Sequence, residues 1–152
     1  MASTTELVLR IVFAALAGLI LGLDRDWKNK PVDFRAYSIV SATAAMIAIV
    51  GMQLIADTPN PDKSVSMDPL RTLQAVMMSI GFLGAGVLMK QGGTVIGTAT
   101  GASIWAAAGL GVVIGLGYYA IALTGFSCIL VLLVVFGWLM PAVDNKKDNR
   151  RK

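Results

Sequence analysis

Five apolar segments alternate with short polar breaks along this chain. They cover about Leu7–Leu23, Ala36–Ile55, Thr72–Met89, Val95–Ile114 and Tyr118–Met140. Each is close to the roughly 20 residues that an α-helix needs to cross a hydrocarbon core of about 30 Å. The pattern therefore predicts an all-α protein with about five transmembrane helices.

The fourth segment differs from the others because its first half is polar. Its glycines and hydroxyl side chains are Gly97, Thr98, Thr100, Gly101 and Ser103. Non-helical backbone is tolerated at membrane depth only where protein or a water-filled cavity surrounds it. We therefore expect either a continuous helix or an irregular, interfacial piece that leads into a shorter helix.

The composition supports a membrane protein. Hydrophobic residues make up 56% of the chain before its 16 glycines are counted, charged residues make up 14%, and the mean hydropathy is +0.72. Soluble domains carry about 25% charged residues, so too little polar surface remains to cover a soluble globule. We predict one membrane domain over residues 1–143, an uncleaved first helix, and a basic cytoplasmic tail over residues 144–152.

The lysines and arginines are distributed unevenly between the two sides. With five spans, ten of them lie on the side of the first and third breaks and the C-terminus, and three lie on the other side. The positive-inside rule then places the N-terminus outside and the C-terminus in the cytoplasm. The basic tail favours contact with anionic lipid headgroups over contact with nucleic acid.

The sequence offers little catalytic chemistry. It contains no histidine, a single cysteine (Cys128), and no acidic residue near the centre of any span. Without an activating base no enzyme is predicted, and neither a metal site nor a cofactor is expected. The alternative is a small oligomeric transporter or channel for Mg²⁺ or another solute. Its polar lining would come from Gln74, Ser79, Thr100 and Ser103.

Charged residues cluster at the ends of the predicted helices and form a candidate charge network. Arg10 lies inside the first span, where it must reach the membrane surface, pair with an acid or face the protein interior. One candidate partner is Asp68, at the start of the third span. The full network comprises Arg10, Asp24, Arg25, Asp26, Arg35, Asp68 and Arg71.

Small residues recur at four-residue spacing, which gives one side of a helix a shallow groove. The series are Ala14, Gly18 and Gly22; Gly93, Gly97 and Gly101; and Gly111 and Gly115. Such grooves serve packing within the chain or self-association, and both alternatives stay open here. In the third span Gly81, Gly84 and Gly86 are predicted to form a contact face. The predicted packing or interaction residues are Gly81, Phe82, Gly84, Gly86, Gly97, Thr100, Gly101 and Trp105.

Taken together, several of these blocks resemble the MgtC/SapB family of bacterial inner-membrane proteins over roughly residues 10–117. The motifs that carry the resemblance are Ala17-Gly18, Gly22 to Asp26, Phe34-Arg35, Asp68 to Arg71, Ile80 to Gly86, Gly92-Gly93, Gly97 to Thr100, and Ser103 to Trp105. The glycine block around Gly81, with Asp68 before it and Trp105 after it, is the specific part.

The resemblance implies a multi-pass inner-membrane regulator linked to low-magnesium adaptation and virulence. Family members are associated with membrane ATPases, either the ATP synthase or P-type cation ATPases, and many have a soluble C-terminal domain. This chain is expected to be a short form without that domain. We also expect a homo-oligomer, such as a dimer.

Overall fold

The computed structural model describes residues 3–27, 33–57, 68–91 and 94–139. In these ranges the chain forms five α-helices and one β-hairpin: α1 Thr4–Trp27, α2 Phe34–Asp57, α3 Pro69–Gly86, β1 Met89–Gln91, β2 Thr94–Ile96, α4 Thr98–Gly115 and α5 Tyr119–Leu139. The five predicted helices are thus confirmed. The predicted basic tail lies outside the described residues.

Three of the described helices are long and apolar enough to cross a membrane: Thr4–Asp24 of α1, Phe34–Asp57 of α2 and Thr98–Gly115 of α4. In α5 the part Tyr119–Val135 is also apolar but shorter. Large apolar side chains are exposed on all of these helices, as is usual for a surface that faces lipid. The membrane class is therefore confirmed, whereas the orientation in the membrane stays a prediction.

The connection between α3 and α4 was only partly predicted. The antiparallel hairpin pairs Met89 with Ile96 and Gln91 with Thr94. Gly97 then adopts a left-handed conformation (φ 91°) that favours glycine, and α4 begins at the next residue. The irregular piece is therefore shorter than half of the fourth segment, and Thr100 and Ser103 lie on regular helix.

The core of the protein is formed by α1, α2 and α4, which all contact one another. Helix α3 packs against α2 and α4, and α5 packs mainly against α4. Many of the buried side chains are small; among them are Ala14, Ala44, Ala45, Ala48, Ala107 and Ala108. Because lipid is as apolar as leucine, helices in a membrane associate through close packing, which small side chains permit.

Candidate functional site

The closest helix contacts in the structure are made by glycines that face α2. A Cβ atom on Gly18 of α1 would lie 2.8 Å from the Cβ of Ser41, and one on Gly22 would lie 2.8 Å from the Cα of Phe34. From the opposite side, a Cβ on Gly111 of α4 would overlap the carbonyl oxygen of Ser41. In α1 and in α4 the four-residue spacing of glycines therefore serves packing within the chain. This is one of the two predicted alternatives, the other being self-association.

Gly115 extends the α4 series by one turn. A Cβ at this position would lie 2.7 Å from the carbonyl oxygen of Ala45. Gly111 and Gly115 therefore contact α2 one turn apart, because Ser41 and Ala45 are also separated by four residues. This matched spacing keeps the two backbones close over two successive turns.

The predicted contact face of α3 meets α4 at one of its glycines, Gly84. A Cβ on Gly101 would lie 2.8 Å from the carbonyl oxygen of Gly84, and a Cβ on Gly84 would lie 3.4 Å from the carbonyl oxygen of Gly101. Gly97 also lies against α3, because a Cβ there would overlap the carbonyl oxygen of Val87. Gly84, Gly97 and Gly101 thus join the end of α3 to the start of α4.

The rest of the predicted contact face on α3 points away from the protein. A Cβ on Gly81 or Gly86 would meet no atom within 4 Å. Phe82 is 81% exposed and Met78 is 78% exposed. Within the chain the contact face is therefore limited to Gly84, and roles for Gly81, Phe82 and Gly86 would require another molecule.

A polar cluster that the sequence analysis did not single out lies in the centre of the core. The side chain of Tyr37 is fully buried, and its hydroxyl lies 2.9 Å from the Oγ of Ser103. Ser103 donates its own proton to the backbone oxygen of Thr100 at 2.9 Å, so Tyr37 is the donor of the pair. Ser41 is also fully buried, and its hydroxyl has no partner among the described residues.

The four polar residues that would line a transport path, Gln74, Ser79, Thr100 and Ser103, do not lie together. Thr100 and Ser103 are buried, whereas Gln74 and Ser79 lie on the exposed side of α3. Ser79 donates its hydroxyl proton to the backbone oxygen of Ala75 at 2.7 Å. The four side chains therefore do not line one shared cavity within the monomer, contrary to the expectation for the transporter alternative.

Arg10 faces the protein interior, but the predicted pair with Asp68 is wrong. Its guanidinium forms an ion pair with Glu6, one helical turn away, and its Nη1 donates to the backbone oxygen of Gly115 at 2.9 Å. The ring of Tyr119 lies 5.9 Å from the guanidinium carbon. Asp68 instead caps α3, because its Oδ1 accepts the backbone N–H of Leu70 at 2.9 Å.

The turn between α4 and α5 is shaped to receive this guanidinium. Gly117 has a φ of 85°, and a Cβ at this position would lie 2.8 Å from the Nη2 of Arg10. A larger residue would therefore be strained by its backbone and would also collide with the charged group. The side chain of Arg10 is only 16% exposed, so α1, α4 and α5 together enclose it.

Two other arginines of the predicted network are more exposed than Arg10. Asp33 caps α2 by accepting the backbone N–H of Arg35 at 2.9 Å, and the Arg35 Nε lies 3.4 Å from the Asp33 Oδ2. An ion pair this exposed contributes less than about 1 kcal/mol. Asp24 is half-buried and Arg71 is exposed, whereas the side chains of Arg25 and Asp26 lie outside the described part of the structure.

Trp105 and Thr100 occupy different environments on α4. Trp105 is 50% exposed, whereas Thr100 is buried close to the α3 contact. Trp105 therefore adds to the outward-facing apolar surface and not to the core. Its predicted role in interaction stays a prediction.

The arrangement defines a multi-pass helical membrane protein whose core helices are held together by glycine contacts. A sequence model described as the MgtC family matches residues 11–141. The chain belongs to the MgtC family. The resemblance found from the sequence motifs is thereby confirmed, and no solved structure matches the chain.

Individual relatives support the same assignment. The chain is 33% identical to Protein SapB of Bacillus subtilis over 139 residues, covering 91% of this chain and 60% of the relative. It is 32% identical over 143 residues to the Putative magnesium transporter YhiD of Escherichia coli K12, covering 94% and 66%. It is 35% identical over 123 residues to Protein MgtC of Salmonella typhimurium LT2, covering 81% and 49%. The chain thus spans between half and two thirds of the length of these relatives.

Proposed function

We propose that this protein is a regulator of the MgtC type in the bacterial inner membrane, which acts by binding other membrane proteins. The candidate partners are membrane ATPases, and the physiological setting is adaptation to low magnesium and virulence. The observation that carries the proposal is the division of α3 into two sides. One side is fixed to α4 at Gly84, and the other presents two glycines that the chain does not need for its own packing.

Gly81 is informative because nothing within the chain requires a glycine there. It lies inside α3, it is not among the glycines with positive φ, and the space around its Cβ position is open. In water, a glycine inside a helix costs up to about 1 kcal/mol relative to alanine. A small residue beside the exposed Phe82 is suited to close contact with a helix of another protein or of a second copy.

The packed centre of the monomer supports a regulator over a channel. Glycine contacts bring α1 and α4 directly onto the backbone of α2, and the hydroxyls of Tyr37 and Ser103 bond to each other. In the described part of the chain, no three acidic or thiol side chains come together as a metal-binding group. The close packing of α1, α2 and α4 in the described residues therefore favours a regulator over a channel.

Replacing Gly81 by leucine is expected to leave the protein folded but to remove its association with partner proteins. The added side chain meets open space within the chain, so thermal stability in detergent should stay close to wild type. Quantified affinity capture from membranes and growth in low magnesium would measure the loss.

Ala120→Leu is the matched control, because Ala120 is an exposed small residue on α5. It should behave as wild type in both assays. Wild-type partner capture by Gly81→Leu would show that this side of α3 faces only lipid, and the proposed contact would then be wrong.

The transporter alternative is supported by one relative, YhiD of Escherichia coli, which is named a putative magnesium transporter. We expect the purified protein in liposomes to move Mg²⁺ no faster than protein-free vesicles, because the described spans place no carboxylate at their centres. A fluorescent Mg²⁺ indicator inside the vesicles would measure this. Saturable uptake that Ser103→Ala abolishes would instead favour a transporter.

The proposed orientation rests on the excess of lysine and arginine on one side. We expect the Asp24–Arg35 turn to be cytoplasmic and the segment 58–66 to be external. Cysteines placed at Thr58 and at Lys147 in a Cys128→Ser background would test this in whole cells. An impermeant reagent should label the first and not the second, and the opposite result would reverse the orientation.

A further inference from the structure

A cleft of about 390 Å³ opens at the end of the bundle where α1 begins. Three elements form it: the first two turns of α1, the last two turns of α2, and the end of α4 with the residue after it. Its lining includes the polar side chains of Arg10, Gln53 and Asp57 and the apolar side chains of Leu7, Met52 and Leu116. Its volume lies within the range of small-ligand sites, which is about 300–1,000 Å³.

Two carboxylates, those of Glu6 and Asp57, lie at the cleft with a single cation, Arg10. Arg10 contributes one positive charge, already shared with the carboxylate of Glu6. Asp57 contributes a second carboxylate, which forms no ion pair with any described residue. The C-terminal end of α2 also lies here, and the helix dipole places partial negative charge at that end. The cleft thus has an acid without an ion pair among the described residues, and it has room for a cation beside Arg10.

Arg10 retains unused capacity to donate hydrogen bonds. Nη1 donates to Gly115 and Nη2 to Glu6, and each of these two nitrogens carries a second N–H, whereas Nε is buried and a ligand does not reach it. The guanidinium has five N–H donors in a planar fork that matches the geometry of phosphate. Glu6 is 42% exposed, so its carboxylate can move aside for another anion.

The position of the cleft near the start of an apolar helix indicates what kind of molecule reaches it. Arg10 lies six residues after Thr4, about 9 Å along α1, so the cleft opens near one end of this span. The neighbouring Val8 and Leu9 are exposed and apolar, as is Leu54 on α2. Leu7, Met52 and Leu116 form the apolar wall of the cleft itself. A polar group bound there would be attached to an apolar body that lies along the helices.

We propose that this cleft binds the headgroup of an amine-bearing phospholipid, with the phosphate on Arg10 and the ammonium on Asp57. The carboxamide of Gln53 lies one turn before Asp57 and offers a further polar contact. The amine distinguishes this ligand from a simple anion, which the carboxylate of Asp57 would repel. The site does not depend on the proposed regulatory function.

The test uses the full chain in nanodiscs made from equal amounts of phosphatidylethanolamine and phosphatidylglycerol with identical acyl chains. Lipids that remain bound after release into detergent are counted by native mass spectrometry. The wild type should retain phosphatidylethanolamine about tenfold over phosphatidylglycerol, as one charge-assisted contact can provide. Asp57→Asn should bring the two lipids to within about twofold of each other, because the ammonium then loses its charged partner.

Asp68→Asn is the matched control, because it removes the same charge at the same end of the bundle but outside the cleft. Asparagine also caps helices as well as aspartate does, so α3 should be preserved. A second variant, Met52→Trp, fills the cleft and should reduce retention of both lipids. Equal retention by the wild type, preference for phosphatidylglycerol, or an unchanged preference in Asp57→Asn would each overturn the proposal. Displacement of the bound lipid by inorganic phosphate but not by phosphoethanolamine would overturn it as well.

Discussion

Gly111→Ala is expected to prevent α4 from packing on α2 and to remove most of the folded protein from the membrane. The new Cβ would overlap the carbonyl oxygen of Ser41 and lie 2.8 Å from its carbonyl carbon. Both atoms belong to helix backbone, which cannot turn aside as a side chain can. Overpacking typically costs about 1–3 kcal/mol, and a clash with backbone belongs at or above the upper end of that range.

The measurement compares membrane levels and thermal unfolding in detergent with those of Gly109→Ala. Gly109 lies on the same helix two residues earlier, and its added Cβ would be 3.9 Å from the nearest atom, the Cε of Met77. That contact is ordinary, so Gly109→Ala should equal or exceed wild-type stability, because alanine is the better helix former. Equal stability of the two variants would show that α2 and α4 are not in close contact.

Arg10→Gln should loosen the turn between α4 and α5 and destabilise the protein by about 2 kcal/mol, the scale of lost charged hydrogen bonds. The substitution leaves Glu6 without its cation and Gly115 without its donor. It also removes the group that lies over the ring of Tyr119. Because Glu6 is partly exposed, water replaces some of the lost interaction, and the cost stays below that of a fully buried pair.

Two further variants separate the geometry of this contact from its charge. Arg10→Lys keeps the charge but lacks the planar fork, so it should recover only part of the stability. Arg71→Gln removes an arginine from the exposed side of α3 and should have little effect. Thermal unfolding in detergent measures all three. Full stability of Arg10→Gln would mean that the turn is held by its apolar packing alone.

The glycine spacing predicts which helices have grooves but not which helix lies in each groove. Four-residue spacing predicted grooves on the first and fourth helices, but it could not distinguish contacts within the chain from contacts between copies. Gly18 and Gly111 both meet α2, and that follows from how three helices cross. On α3 the sequence grouped Gly81 with Gly84, yet only Gly84 faces another helix. Which glycines a neighbouring backbone reaches depends on the crossing angle and rotation of each helix, and a single sequence contains neither quantity.

For the charged and the buried hydroxyl groups, too, the sequence indicates that a polar group needs a partner but does not identify the partner. The position of Arg10 in an apolar segment was enough to predict that it needs a partner, since an isolated charge in a membrane is costly. The partner itself, Glu6 together with Gly115, depends on the fold of the turn between α4 and α5. Tyr37 could have been noticed as a polar group inside an apolar span, but only the packed structure brings it to Ser103.

The sequence by itself determined the class of this protein, the number of its helices and its family. These follow from local properties: the length of each apolar segment, the scarcity of charge, and motifs that stay adjacent along the chain. The tertiary structure decided which small residues are contacts and that Thr100 and Ser103 are buried while Gln74 is exposed. It also decided that Arg10 and Asp57 line one cleft. Those features join residues that are distant in sequence, and their positions are set by close packing between helices.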